Sequence, residues 1–165
     1  MKNQFLFYLK YAVIIIIFVA LQASNVLAIF DISPDIILIV VILHTLYFGD
    51  YPGMFFGFFM GLFIDSMSGT LLGTNAFVFT FLSSFLGLYR KYIFVSDLFS
   101  FVIFIIIATI IKYALYSILY LIFEIELFNF YLLIKLAGEI FYNSFVSLPL
   151  FFLMPFIYRR KNILY

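Results

Sequence analysis

Residues 98–123 read LFSFVIFIIIATIIKYALYSILYLIF, an apolar run interrupted by one charge, Lys112. Roughly 20 apolar residues carry a helix through the hydrocarbon core of a bilayer, and this run exceeds that length. The rest of the chain has the same character. Its 165 residues are 67% hydrophobic and 10% charged, with a mean hydropathy of +1.26. A soluble domain is about half apolar and about a quarter charged. So short a chain has little interior, and most of its Phe, Ile and Leu must face lipid instead of a core of their own.

Composition also excludes several function classes. A net charge of +1, with the basic residues near span ends, gives no patch for nucleic acid. The absence of cysteine removes disulfides, thiolate nucleophiles and Cys metal sites, and the lone His44 has no partners for a metal. No Ser-x-x-Lys, His-Glu-x-x-His or glycine-rich phosphate loop occurs, so neither catalysis nor a cofactor is expected.

Breaks in hydropathy at charged, Gly and Pro positions give six spans, at about 11–30, 35–48, 53–68, 76–89, 98–123 and 131–157. The expected fold is an all-α polytopic membrane protein, with residues 1–165 forming a single integral membrane domain. Lys2 and Lys10 precede a first apolar run too long for a signal h-region, so it reads as a retained span. The spans 35–48 and 53–68 rise only about 21 and about 24 Å, against a core of about 30 Å. Local thinning, helices extended through Asp35 and Gly69, or a re-entrant pair would each accommodate them.

Charge sets the orientation. With a cytoplasmic N-terminus, six crossings place Lys2, Lys10, Arg90, Lys91, Arg159, Arg160 and Lys161 inside, while Asp31, Asp35, Glu124 and Glu126 fall outside. This is the positive-inside pattern, and it predicts that both termini are cytoplasmic. At helix starts, Ser33 can cap, Pro34 suits the first turn and Asp35 complements the helix dipole; Asn75 and Asp97 can open the fourth and fifth spans in the same way.

Gly53, Gly57 and Gly61 fall on one face of the third span, and Asp65 continues the spacing by one turn. In lipid the hydrophobic effect does not draw helices together, so close packing needs small residues, and this face is expected to be buried. Asp65 then either serves a purpose at the interface or caps the loop that follows. Ala20, Ser24 and Ala28 form a second small-residue stripe, suited to packing within the domain or to docking a partner helix.

Counting about 1.5 Å per residue from the span ends puts Asp65, Lys112 and Glu139 at a common depth. Lys112 is too far from either end to snorkel, so it needs a counter-ion, Asp65 or Glu139, with Asp65 expected first. Lys135 can pair with Glu139 at i, i+4 spacing. Gln22 and His44 lie at a similar depth. Such clusters occur in transport pathways and also as registry pins between helices.

Pro34-Asp35 followed by aliphatics, and the stretch Gly57-x-x-x-Gly61-x-x-x-Asp65-x-x-x-Gly69-x-x-x-Gly73-x-Asn75-Ala76, resemble the signatures of the MreD family. Length, span number and the Arg90-Lys91 inner loop are similar as well; beyond residue 98 only hydropathy matches. The resemblance implies a non-enzymatic scaffold of the rod, or elongasome, complex in the bacterial inner membrane. It further implies association with an MreC-like one-span protein and work beside MreB-like filaments, a RodA-type glycosyltransferase and its transpeptidase in lateral peptidoglycan synthesis. The six-span fold of that family is similar to the substrate-capturing subunits of energy-coupling-factor transporters. A small-molecule transporter subunit is therefore the alternative, with Lys112 in a ligand site.

Overall fold

The computed structural model describes residues 13–22, 24, 26–29, 31–68, 71–90, 98–123 and 130–157. Among them lie six helices: α1 (Val13–Gln22), α2 (Ile36–Phe48), α3 (Asp50–Ser68), α4 (Thr74–Tyr89), α5 (Leu98–Ile122) and α6 (Phe130–Ile157). The described residues form no strand beyond an isolated bridge between Ile29 and Ile32. Among them, α5, with 25 residues, is the one helix that meets the requirements of length and apolarity for crossing a membrane.

The short α2 is the centre of the bundle. Its sequence IILIVVILHTLYF is apolar nearly all round, the pattern of a helix enclosed by protein or by lipid. Ile36 through Leu43, Thr45 and Leu46 are all buried. Helices α3, α4 and α6 pack around it, and Ile14, Phe18 and Val19 of α1 lie against the same core. At 13 residues α2 rises only about 20 Å. Ten of its thirteen residues are buried within the protein. It does not extend through Asp35, which leaves helical geometry and caps it (φ −89°, ψ 77°). Gly69 lies outside the described residues. Helix α3 begins at Asp50, earlier than expected, and its 19 residues rise about 28 Å.

The first expected span, 11–30, is not helical to its end. Helix α1 is described to Gln22; Ser24 turns its hydroxyl onto the Leu21 carbonyl at 2.9 Å, and Ile29 and Ile32 exchange backbone hydrogen bonds of 2.9 and 3.0 Å. Asp31 closes that turn at φ 63°, a left-handed conformation its short polar side chain tolerates. The chain thus folds back before α2 begins.

At the other end of the bundle, Gly49 joins α2 to α3 and Arg90 ends α4. Arg90 Nη1 lies 2.8 Å from the position a Cβ on Gly49 would take. On the outside, Phe77, Phe81, Phe85 and Tyr89 form an exposed ladder along α4, with successive ring centroids 6.3, 6.2 and 5.2 Å apart.

Candidate functional site

Two polar constellations lie inside the apolar bundle. The first joins α2, α5 and α6. Lys112, 5% exposed, donates to Asp35 Oδ2 at 2.8 Å and to Glu139 Oε1 in a short contact. Asp35 Oδ1 caps α2 by accepting from Leu38 N at 3.0 Å, and it also accepts from Gln22 Nε2 at 3.2 Å. Glu139 Oε2 accepts from the Tyr113 hydroxyl at 2.6 Å. Tyr113 and Tyr116 set their rings 5.4 and 5.8 Å from the ammonium, within range of cation–π attraction.

A second ring of hydrogen bonds holds these charges in place. Asn143, one turn beyond Glu139, accepts from Asp35 N at 2.7 Å and donates to Thr109 at 3.1 Å. Gln22 uses both ends of its amide, since its Oε1 accepts from Ile37 N at 2.9 Å. The start of α2 is therefore fastened to α1 through Gln22, to α5 through Lys112 and to α6 through Asn143. Both oxygens of each carboxylate are engaged, as burial of charge requires.

The second constellation belongs to the α3–α4 hairpin. Gly53, Gly57, Gly61 and Asp65 are the buried residues of α3. A Cβ on Gly53 would strike Thr45 of α2, one on Gly57 would stand 2.9 Å from the Phe79 carbonyl oxygen of α4, and one on Gly61 would strike the Ala76 backbone. Gly87 answers from α4, where a Cβ would meet Asp50 at 2.6 Å. Beyond the glycines, Asp65 accepts from Gly73 N at 2.9 Å, Asn75 N at 3.0 Å, Ala76 N at 3.2 Å and Asn75 Nδ2 at 2.7 Å. The three backbone N–H groups are donors at the start of α4, so Asp65 serves as a cap supplied from the neighbouring helix.

The expected Asp65–Lys112 pair is thereby corrected. Equal depth does not give equal azimuth: Asp65 faces the start of α4, while Lys112 faces Asp35 and Glu139. Lys135 is exposed, and it is Lys112 that bonds Glu139. Ser33 does not cap α2, because Asp35 does. Asn75 does not open α4, because Gly73 is its cap residue at φ 102° and Asn75 lies inside the helix. The side chain of Asn75 instead bridges the two constellations, accepting a short hydrogen bond from the Tyr116 hydroxyl. Pro34 is buried immediately before the Asp35 cap. Ala20, Ser24 and Ala28 are exposed. Asp97 and Gly69 lie outside the described residues. The His44 ring centroid lies 4.3 Å from that of Phe56 and 4.6 Å from that of Phe48.

Sequence reasoning did not single out Asn143, Thr109, Tyr113 or Tyr116. The signal was nevertheless present: Thr109, Lys112 and Tyr116 share a face of α5, and Asn143 follows Glu139 by one turn of α6.

These features define a class, that of all-helical proteins whose helices are gathered on buried polar side chains. The chain matches the family of rod shape-determining protein MreD over residues 1–161, and it belongs to that family. This is a family of membrane proteins with a role in rod shape determination. Comparison with curated proteins and with solved structures gives no match.

Proposed function

We propose that this chain is a non-enzymatic, multi-pass scaffold of the bacterial inner membrane. In this reading it supports lateral peptidoglycan synthesis by associating with an MreC-like one-span protein, and through it with the MreB-like filament, the RodA-type glycosyltransferase and its transpeptidase. The family match over residues 1–161 carries the proposal. The geometry supports it, because the buried charged side chains Asp35, Asp65, Lys112 and Glu139 are engaged in holding helices together. Lys112 is enclosed by two carboxylates and two tyrosine rings, which disfavours an open ligand site for a transported molecule. The whole chain acts as one membrane domain with cytoplasmic termini. Arg90 beside Gly49 agrees with that topology, since both then lie at the inner end.

Two measurements test this. Reporter fusions after Arg90 and after Arg160 should read cytoplasmic, and a fusion at Gly73 periplasmic; a periplasmic reading at Arg90 overturns the six-span topology. In cells depleted of the protein, re-expression should restore rod shape and recover the MreC-like partner on affinity purification. Rod shape without any such association would overturn the scaffold reading.

A further inference from the structure

A cavity of about 280 Å³ lies between α1, α2 and α3, half open to the outside, lined by Val19, Gln22, Ser33, Ile37, Phe63, Ile64, Met67 and Ser68. It sits where α1 and α3 end and α2 begins. The volume is that of roughly nine waters at about 30 Å³ each, and each water would need two to four polar partners. The polar members of the lining are Gln22, Ser33 and Ser68. Five of the eight lining residues are aliphatic or aromatic, and both ends of the Gln22 amide are already bonded to Asp35 and Ile37. The lining contains no charged residue, so it selects neither an anion nor a cation. Phe63 and Met67, which line the cleft, are 48% and 56% exposed, and such apolar side chains are as compatible with lipid tails as with protein.

We propose that this cleft is a binding site for one lipid acyl chain. The chain lies against Val19, Ile37, Ile64 and Met67, and the hydroxyls of Ser33 and Ser68 face the neutral ester region at its head. A chain held there fills the wedge between α1 and α3, steadying α1 beside the Gln22–Asp35 hydrogen bond. The proposal needs only membrane embedding, and it stands or falls separately from the scaffold reading.

The sequence contains no tryptophan, so a single introduced one reports its own surroundings. Ile64→Trp and Val19→Trp place the probe in two walls of the cleft, and Phe85→Trp places it on the exposed ladder of α4. The full chain is reconstituted in phosphatidylcholine vesicles containing a rising fraction of lipid with brominated acyl chains. Trp at 64 and at 19 should be quenched to saturation at a lower brominated fraction than Trp at 85, and all should resist aqueous acrylamide. In detergent, native mass spectrometry should show one retained lipid on the unsubstituted chain and its loss in Val19→Asp, which puts a charge in the wall. Quenching of the cleft probes by acrylamide would mean that water fills the site, and quenching by neither agent that protein fills it. Quenching curves identical to that of position 85 would mean only the general lipid shell. Each of these three results overturns the proposal.

Discussion

The α3–α4 hairpin and the α2–α5–α6 centre both bury carboxylates, and they stabilise them by different means. Asp65 meets N–H groups at the start of α4, a cap contributed across a short connection. Asp35 and Glu139 converge on one ammonium from helices far apart in sequence. A cap trades one set of dipoles for another and is worth about 0.5–2 kcal/mol. An ion pair in a dry interior is different, because loss of one partner strands the other. The hairpin is therefore a local unit, whereas the centre exists only once α2, α5 and α6 are all in place.

The largest effect should follow from Lys112→Met, which leaves Asp35 and Glu139 buried without their cation. Breaking a buried pair by removing one member costs about 3–5 kcal/mol, and a large loss of folded protein in thermal-scanning measurements is expected. Lys112→Met combined with Glu139→Gln should cost less than the sum of the two single changes. Strict additivity would show that the pair contributes nothing and would dissolve the contrast with the hairpin.

Next is Gly61→Leu. The Cβ alone would strike the Ala76 backbone, which cannot swing away as a flexible side chain would. Overpacking typically costs about 1–3 kcal/mol, and more where backbones must part. The same measurement should show Gly61→Leu more damaging than Phe59→Leu, since Phe59 is 64% exposed. Equal stability of the two would place the glycine face against lipid.

The same contrast explains which features the sequence revealed. The hairpin's glycine face was legible because i, i+4 spacing is a property of one helix, and Gly53, Gly57, Gly61 and Asp65 repeat at that interval. The need of Lys112 for a counter-ion was legible from its distance to either end of an apolar run. Of the two counter-ions expected, Glu139 is a partner and Asp65 is not, while Asp35 was not foreseen. Depth fixes one coordinate, and the rotation of α5 relative to α2, α3 and α6 fixes the other, which no single span records. Asp35 was read as a helix-start residue, and it is one; its second role appears only because α2 starts inside the bundle. The early end of α1 was hidden for a related reason. In sequence, residues 23–30 are as apolar as a helix would be, whereas in the structure Ser24 bonds back to the Leu21 carbonyl, Ile29 and Ile32 pair across Asp31, and Gln22 bonds to the start of α2.

A smaller effect should come from Asp65→Ala, which removes the borrowed cap of α4 at about 0.5–2 kcal/mol. Its loss should add to that of Lys112→Met within about 0.5 kcal/mol, as expected of separate sites. A larger coupling would mean that the Asn75–Tyr116 bridge joins the hairpin and the centre into one cooperative unit.

An effect of similar size is expected at Gly73, and it separates two reasons for a glycine within one hairpin. Gly73 precedes α4 at φ 102°, and a Cβ there would meet nothing within 4 Å. Its requirement is purely one of backbone conformation, whereas that of Gly61 is one of space. Gly73→Ala should therefore cost about 1–2 kcal/mol, the usual penalty for a left-handed residue that has a Cβ. Gly73→Asn should recover part of the loss, because asparagine tolerates that region through local hydrogen bonding. At Gly61 the order should reverse, with Ala the milder change and Asn the worse, since only volume matters there. Thermal scans of the four variants check both orders. If Asn is worse than Ala at both positions, the chain around Gly73 is crowded in the membrane, and conformation is not what keeps glycine there.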